Sequence, residues 1–184
     1  MAIILANQAE LDSISADYNG ELVVEFGTAA APAIIRNLSL CHIRIRGDSH
    51  VKVYGNAHII SSGNSFVEAH DGCSVTAYDA SQVEAYDHVS VVSYDDSVVT
   101  AYVRSTVEAY DDSRADAYDS SFVEAHDVSH VVLNNFSAAE AWDDSSVSAY
   151  DSSHVDVMGC GDITVYPGAS CARGRGTEAD LDED

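Results

Sequence analysis

Carboxylates recur at intervals of eight residues in this 184-residue chain. One set closes successive octads: Asp71, Asp79, Asp87, Asp95, Asp111, Asp119, Asp127, Asp143 and Asp151. A second set holds the fifth place of the same units: Glu68, Glu84, Glu108, Asp116, Glu124, Glu140 and Asp156. An aromatic series runs one place before the closing Asp, at Tyr78, Tyr86, Tyr94, Tyr102, Tyr110, Tyr118, Trp142 and Tyr150. Such side chains can bind cations, exchange protons with a substrate, or meet a basic protein surface. Acid–base catalysis needs two carboxyl groups in different environments, whereas these repeat one solvated slot. The chain also has no Gly-rich phosphate loop, no Gly-x-Ser-x-Gly and no His-Glu-x-x-His. No catalytic residue is nominated, and the chain is not expected to be an enzyme.

Metal chemistry finds equally little support. Calcium-binding solenoids bring backbone carbonyls to the ion with Gly-Gly-x-Gly-x-Asp turns, and the octads lack the glycines. His50, His58, His130 and His154 occupy an outward slot, on non-adjacent rungs apart from the first two. No metal and no cofactor are expected. Cys41, Cys73, Cys160 and Cys171 show no Cys-x-x-Cys spacing, and Cys73 stands in a slot usually held by Ser. That usage fits a reducing cytosol. The opening MAIILA is too short for a signal peptide core, and no apolar run approaches the roughly 18 residues of a membrane span. A soluble cytoplasmic protein is expected.

Charge is the chain's main chemical asset. Acidic residues number 31 against 8 Lys and Arg, a net of -23. Within residues 64–167 only Arg104 and Arg114 oppose 20 acids. A field of this sign repels nucleic acid and anionic membranes and attracts basic protein surfaces. Direct nucleic-acid and membrane binding are therefore not expected.

The elements that position these groups follow from the repeat. From Asp48 to Pro167 fifteen octads read x-Ser-x-Val-x-Ala-Tyr-Asp without insertion or deletion. The fourth slot is Val or Ile in thirteen of them, missing at Ala115 and Ala139, so it is read as core. Ser, Val and Ala at slots two, four and six have the period of a strand, with variable slots three and five facing out. Asp, Gly or Asn at slot eight supplies a turn. The fold class is all-β: a parallel β-solenoid of stacked octads. Two octads make a flat 16-residue coil and three a triangular one. The small core residues favour two, since they underfill a triangle at native packing density. Seven or eight coils predict a rod about 36 Å long at 4.8 Å per rung.

Residues 1–39 depart from the octad and are read as an amino-terminal cap with a strand near Glu21–Phe26. Residues 40–167 form the solenoid body, and 168–184 are expected to be an acidic, disordered tail. The last octads, with Val157, Met158, Ile163 and Val165, are more apolar than the middle. A carboxy-terminal cap and a homodimer contact both fit them. The corner Asp residues are assigned to turn chemistry, accepting nearby backbone N–H bonds. The aromatic slot predicts stacked ladders that brace the coil or serve as an interface. The mid-strand acids help neither strand nor stacking, and are read either as an acidic face for a partner or as charge that keeps the rod soluble.

The octads GCSVTAYD from Gly72, ASQVEAYD from Ala80, RSTVEAYD from Arg104 and DSSVSAYD from Asp144 resemble those of octapeptide-repeat β-solenoid proteins of bacteria and their phages. Octad pairs are also similar to the 16-residue coils of bacterial ice-nucleation proteins, although the Thr-x-Thr strip of those proteins is absent. In physical type the chain resembles acidic pentapeptide-repeat solenoids that imitate duplex DNA. That last resemblance implies a basic, nucleic-acid-binding protein as partner, such as a nuclease, a CRISPR effector or a restriction enzyme. A structural module of a surface or virion remains the alternative, with ice or calcium binding behind it.

Overall fold

The computed structural model describes residues 2–38 and 41–173. In chain order the elements begin with β1 (Ile3–Leu5), α1 (Gln8–Asp12), β2 (Glu21–Val24), β3 (Ala33–Arg36), β4 (His42–Ile45) and β5 (His50–Tyr54). Then follow β6 (His58–Ser61), β7 (Phe66–Ala69), β8 (Ser74–Ala77), β9 (Gln82–Ala85), β10 (Ser90–Ser93), β11 (Val98–Ala101) and β12 (Thr106–Ala109). The chain continues with β13 (Arg114–Ala117), β14 (Phe122–Ala125), β15 (His130–Leu133), β16 (Ala138–Ala141) and β17 (Ser146–Ala149). It ends with β18 (His154–Val157), β19 (Ile163–Val165) and β20 (Ser170–Arg173). Strands alternate between two parallel sheets. The long sheet has 11 strands, β1-β2-β4-β6-β8-β10-β12-β14-β16-β18-β20, and the short sheet has 9, β3-β5-β7-β9-β11-β13-β15-β17-β19. Each octad strand pairs with the strand 16 residues on, as in Val91↔Val107 and Val99↔Ala115. The protein is a two-sided β-solenoid with two octads per coil.

Alternation does the packing. Slots two, four and six of the octads up to Val157 point inward and are buried, while three and five are mostly half-exposed. The core is one continuous cluster from Leu5 to Val157, built of Val, Ala and Ser in the middle and of Leu and Ile near the amino terminus. Each buried Val contributes about 1.5–3 kcal/mol relative to exposure. Corners are four-residue turns, closed for example by Ser97 N–H on Tyr94 O at 3.2 Å. The slot-eight residue of such a turn has positive φ, 51–66° for the nine corner Asp. Asp and Asn tolerate that conformation and Gly55 and Gly63 adopt it freely, which explains what occupies the slot.

The ends differ from expectation. Within the expected cap, β1, β2 and β3 continue the two sheets, and α1 buries Leu11 in the core at the opening. Insertions between these strands hid the repeat, because a corner accommodates extra residues without disturbing the pairing. The strand expected near Glu21–Phe26 is present as β2. Sheet pairing also runs past Pro167, where β20 pairs with β18, so the body extends to Arg173. Residues 174–184 of the expected tail lie outside the described residues. With ten strand intervals in the long sheet the rod is about 48 Å long rather than 36 Å. No described helix is long and apolar enough to cross a membrane.

Candidate functional site

Two octads per coil sort every slot into two columns on opposite sides of the molecule. Edge I leads from the long sheet to the short one and edge II leads back. The corner acids divide accordingly. Asp79, Asp95, Asp111, Asp127 and Asp143 stand in unbroken succession on edge I, whereas Asp71, Asp87, Asp119 and Asp151 on edge II are interrupted by Val103 and Asn135. The turn position just after slot eight adds Asp96, Asp112 and Asp144 to edge I but His88, Arg104 and Phe136 to edge II.

The fifth-slot acids do not form the single face expected. Glu108, Glu124, Glu140 and Asp156 lie on adjacent strands of the long sheet, while Glu68, Glu84 and Asp116 lie on the short sheet. The first group adjoins edge I. Together they form a strip of twelve carboxylates spanning six rungs, from Asp79 on the rung of β8 to Asp156 on β18, with no Lys or Arg on those rungs of the long sheet or edge I. The described cations sit elsewhere. Arg36, Arg44, Arg46 and Lys52 are on the first coils, Arg104 is on edge II, Arg114 is on the short sheet and Arg173 is at the far end.

Each corner carboxylate on edge I is held in place. Its Oδ2 accepts a backbone N–H from the equivalent residue one coil earlier: Gly63 to Asp79 at 2.9 Å, Asp79 to Asp95 at 3.0 Å and Asp95 to Asp111 at 3.3 Å. The series continues with Asp111 to Asp127 and Asp127 to Asp143, both at 3.2 Å. The donor is 16 residues away, not within the turn as expected, because an outward corner N–H is most easily met from the next rung. The second carboxylate oxygen remains available to solvent or a partner.

The aromatic slot makes two ladders, one per edge. Tyr78, Tyr94, Tyr110, His126 and Trp142 stack along edge I with centroid spacings of 5.2, 5.2, 4.7 and 6.2 Å. Edge II stacks Tyr54, His70, Tyr86, Tyr102 and Tyr118, breaks at Asn134 and resumes with Tyr150 over Tyr166 at 4.2 Å. Offset ring pairs of this kind contribute about 0.5–1.5 kcal/mol each beyond their buried area.

Mid-strand acids also support the coil, contrary to expectation. Slots five and seven face the same way, so a carboxylate reaches the ring two residues on. Tyr86 OH donates to Glu84 Oε2 at 3.0 Å and Tyr110 OH to Glu108 Oε2 at 3.2 Å. Glu68 takes Lys52 Nζ at 2.6 Å and faces His70 Nε2 at 2.9 Å, and these partners hold its carboxyl below the ordinary range despite burial, which pushes the other way. Asp116 pairs with Arg114 at 2.9 Å, and Asp156 with His154 at 3.2 Å. Burial, then the Glu84 hydrogen bond and charge, pushes the Tyr86 phenol up to about 12. Cys41 and Cys73 are buried and their thiols pushed up by desolvation, with Cys73 Sγ on Gly55 O at 3.1 Å.

Among the described residues no group of three His, Cys, Asp or Glu is placed to hold a metal ion. The nominated acids therefore divide between one continuous strip on edge I and the long sheet and a second set on edge II and the short sheet, and members of both sets bond to the scaffold. Asp96, Asp112 and Asp144 were missed in the sequence, although sorting octads by parity brings them beside the edge I column. No family model, curated protein or solved structure matches the chain.

Proposed function

We propose that this chain is a non-enzymatic acidic rod whose edge I and adjoining long-sheet face dock on a basic surface of a nucleic-acid-binding protein, in place of duplex DNA. The observation that carries this reading is the uninterrupted strip of twelve carboxylates with no Lys or Arg in it. Six rungs at about 4.8 Å leave about 2.4 Å of rod per charge, against about 1.7 Å per phosphate along duplex DNA. A groove lined with Lys and Arg thus meets a comparable line charge, although single carboxylates and phosphates do not coincide in position. The hydrogen-bonded corner carboxylates are ordered before binding, which lowers the entropy lost on docking. One-signed charge steers encounter and makes the complex salt-sensitive. Nucleases, CRISPR effectors and restriction enzymes present grooves of the required sign. The physical likeness to DNA-imitating pentapeptide-repeat solenoids points the same way.

A stiff structural rod is the second reading, favoured by the hydrogen bonds these same acids make within the scaffold. Immobilised chain incubated with bacterial lysate at low salt separates the two. Docking in place of DNA predicts captured basic proteins that are released by duplex DNA as well as by salt. Proteins that salt releases and duplex DNA leaves bound would exclude the proposal, as would no capture at all.

A further inference from the structure

The two ends of the rod are finished differently. At the amino-terminal end Leu11 of α1 is buried in the core, and the Gln8 amide meets the free edge of β3. Gln8 Nε2 donates to Ile34 O at 2.9 Å, and Gln8 Oε1 accepts the Ile34 N–H at 2.8 Å. That amide takes the place of a further strand, which is how exposed sheet edges are made safe. Among the described residues no element does the same for β19 and β20, the terminal strands of the two sheets. Their outward groups are identified by the pairing alternation. Asp162 O accepts Val147 N–H at 3.0 Å, while Tyr166 and Ser170 N–H point back to Ala149 O and Ser153 O. The N–H and C=O of Ile163, Val165, Cys171 and Arg173 therefore point off the end. Val165 is 41% exposed, whereas Ala149 one coil earlier is fully buried. Residues 157–173 carry only Asp162 and Arg173 as full charges, so the end strands themselves are neutral, and the acids that follow lie in residues 174–184.

We propose that the carboxy-terminal end is a self-association surface whose occupant is a second copy of the chain. The inference goes beyond the docking function and does not depend on it. Charge disfavours contact along the central rungs, where approach of two copies sets acid against acid, and it does not oppose contact between the end strands themselves. Geometry supplies the fit. Each coil climbs one strand spacing, so the two sheets stop half a spacing apart and the end face is a step. A two-fold axis along the strand direction sets β20 of one copy beside β19 of the other, and the reverse. Because successive strands of a coil run in opposite senses, both new pairs are antiparallel, and both gaps close at about 4.8 Å. A two-fold axis normal to the sheets pairs β20 with itself and leaves the β19 edges one spacing too far apart. The contact is isologous and closes at two copies. An end face on the order of 20 Å by 20 Å buries about 800 Å² in total, which places the dimer among weak, dissociable complexes.

The test is sedimentation velocity on the full chain from about 1 to 200 µM, at moderate and at high salt, with far-UV circular dichroism as the fold control. The expected result is a mass that rises from 19.6 kDa towards twice that value with concentration and does so better at high salt. Val165→Pro and Cys171→Pro each remove one outward N–H and none of the chain's own ladder bonds, so each should fold and remain monomeric. Arg173→Glu places like charges at the contact without touching the core, and should weaken association at least tenfold. A chain ending at Arg173 should still dimerise. A full chain that stays monomeric at 200 µM overturns the proposal, as do folded proline variants that dimerise like the parent. Association gained only on removal of residues 174–184 also overturns it, since the chain's own tail is then the occupant.

Discussion

Substituting Asp111 separates what the turn requires from what the charge adds. Asp111 sits at φ 56° and its Oδ2 accepts the Asp95 N–H. Alanine there meets the left-handed penalty of about 1–2 kcal/mol. It also forfeits a hydrogen bond worth about 0.5–1.5 kcal/mol. The expected loss is about 2–3 kcal/mol. Glycine removes the conformational penalty but not the lost bond, giving a loss of about 1 kcal/mol. Asparagine keeps both, as Asn135 demonstrates by holding φ 57° and accepting the Asp119 N–H through Oδ1 at 3.3 Å. Its weaker acceptance is offset by relief from Asp95 and Asp127. Like charges about 4.8 Å apart repel by roughly 0.9 kcal/mol in water and about half that at physiological salt. Asn should therefore fall within about 0.5 kcal/mol of the parent. Urea unfolding of the four proteins, compared at constant m-value, gives the order Asp close to Asn, then Gly, then Ala. Alanine as stable as asparagine, or glycine less stable than alanine, would show that neither the left-handed turn nor the inter-coil hydrogen bond governs this position.

Val103 holds slot eight at φ 42°, a conformation that strains a β-branched residue. Val103→Asn should therefore stabilise the chain by about 1–2 kcal/mol in the same urea assay. Ser121 Oγ donates to Tyr118 O at 2.7 Å, whereas the buried Ser97 Oγ has no partner among the described residues. Ser121→Ala should cost about 1 kcal/mol and Ser97→Ala should be neutral or stabilising, read by thermal unfolding. Tyr86 is held up to about 12 while an unfolded tyrosine titrates near 10, so the folded chain keeps a proton that the unfolded chain loses. Its stabilisation is whole below about pH 10 and is lost as pH climbs through about 12. Tyrosinate absorbance should show a late-titrating group, and Tyr86→Phe should flatten the alkaline fall in stability.

The octad exposes the strand to a reader of the sequence because Ser, Val and Ala alternate with variable residues. The small volume of Val75, Ala77 and their equivalents also argues for two apposed sheets, and the structure has them. Faces were harder to read. Octads 16 residues apart share a side, so Glu68 and Glu108, which look equivalent in the sequence, stand on opposite sheets. The Glu-Ala-Tyr spacing does carry the Glu84–Tyr86 bond, since residues two apart on a strand face the same way. The first coils were hidden for a different reason. Ile3 pairs with Leu22 and Leu22 with Ile43, offsets of 19 and 21 rather than 16, because the corners there hold α1 and extra loop residues. Pairing demands strands in register, not corners of constant length.

A matched pair of variants tests whether the position of the charge, and not only its amount, governs docking. In one, Asp95, Asp111, Asp127 and Asp143 on edge I become Asn; in the other, Asp71, Asp87, Asp119 and Asp151 on edge II do. Both keep the turn and both lose four charges, so net charge and fold are the same in each. Exposed carboxylate–cation pairs are worth about 0.2–1 kcal/mol each, so the edge I variant should bind a DNA-displaceable partner about 4- to 900-fold more weakly. The edge II variant should bind within about threefold of the parent. Equal losses from the two variants would mean that edge I has no special part in docking and that the rod acts only through total charge.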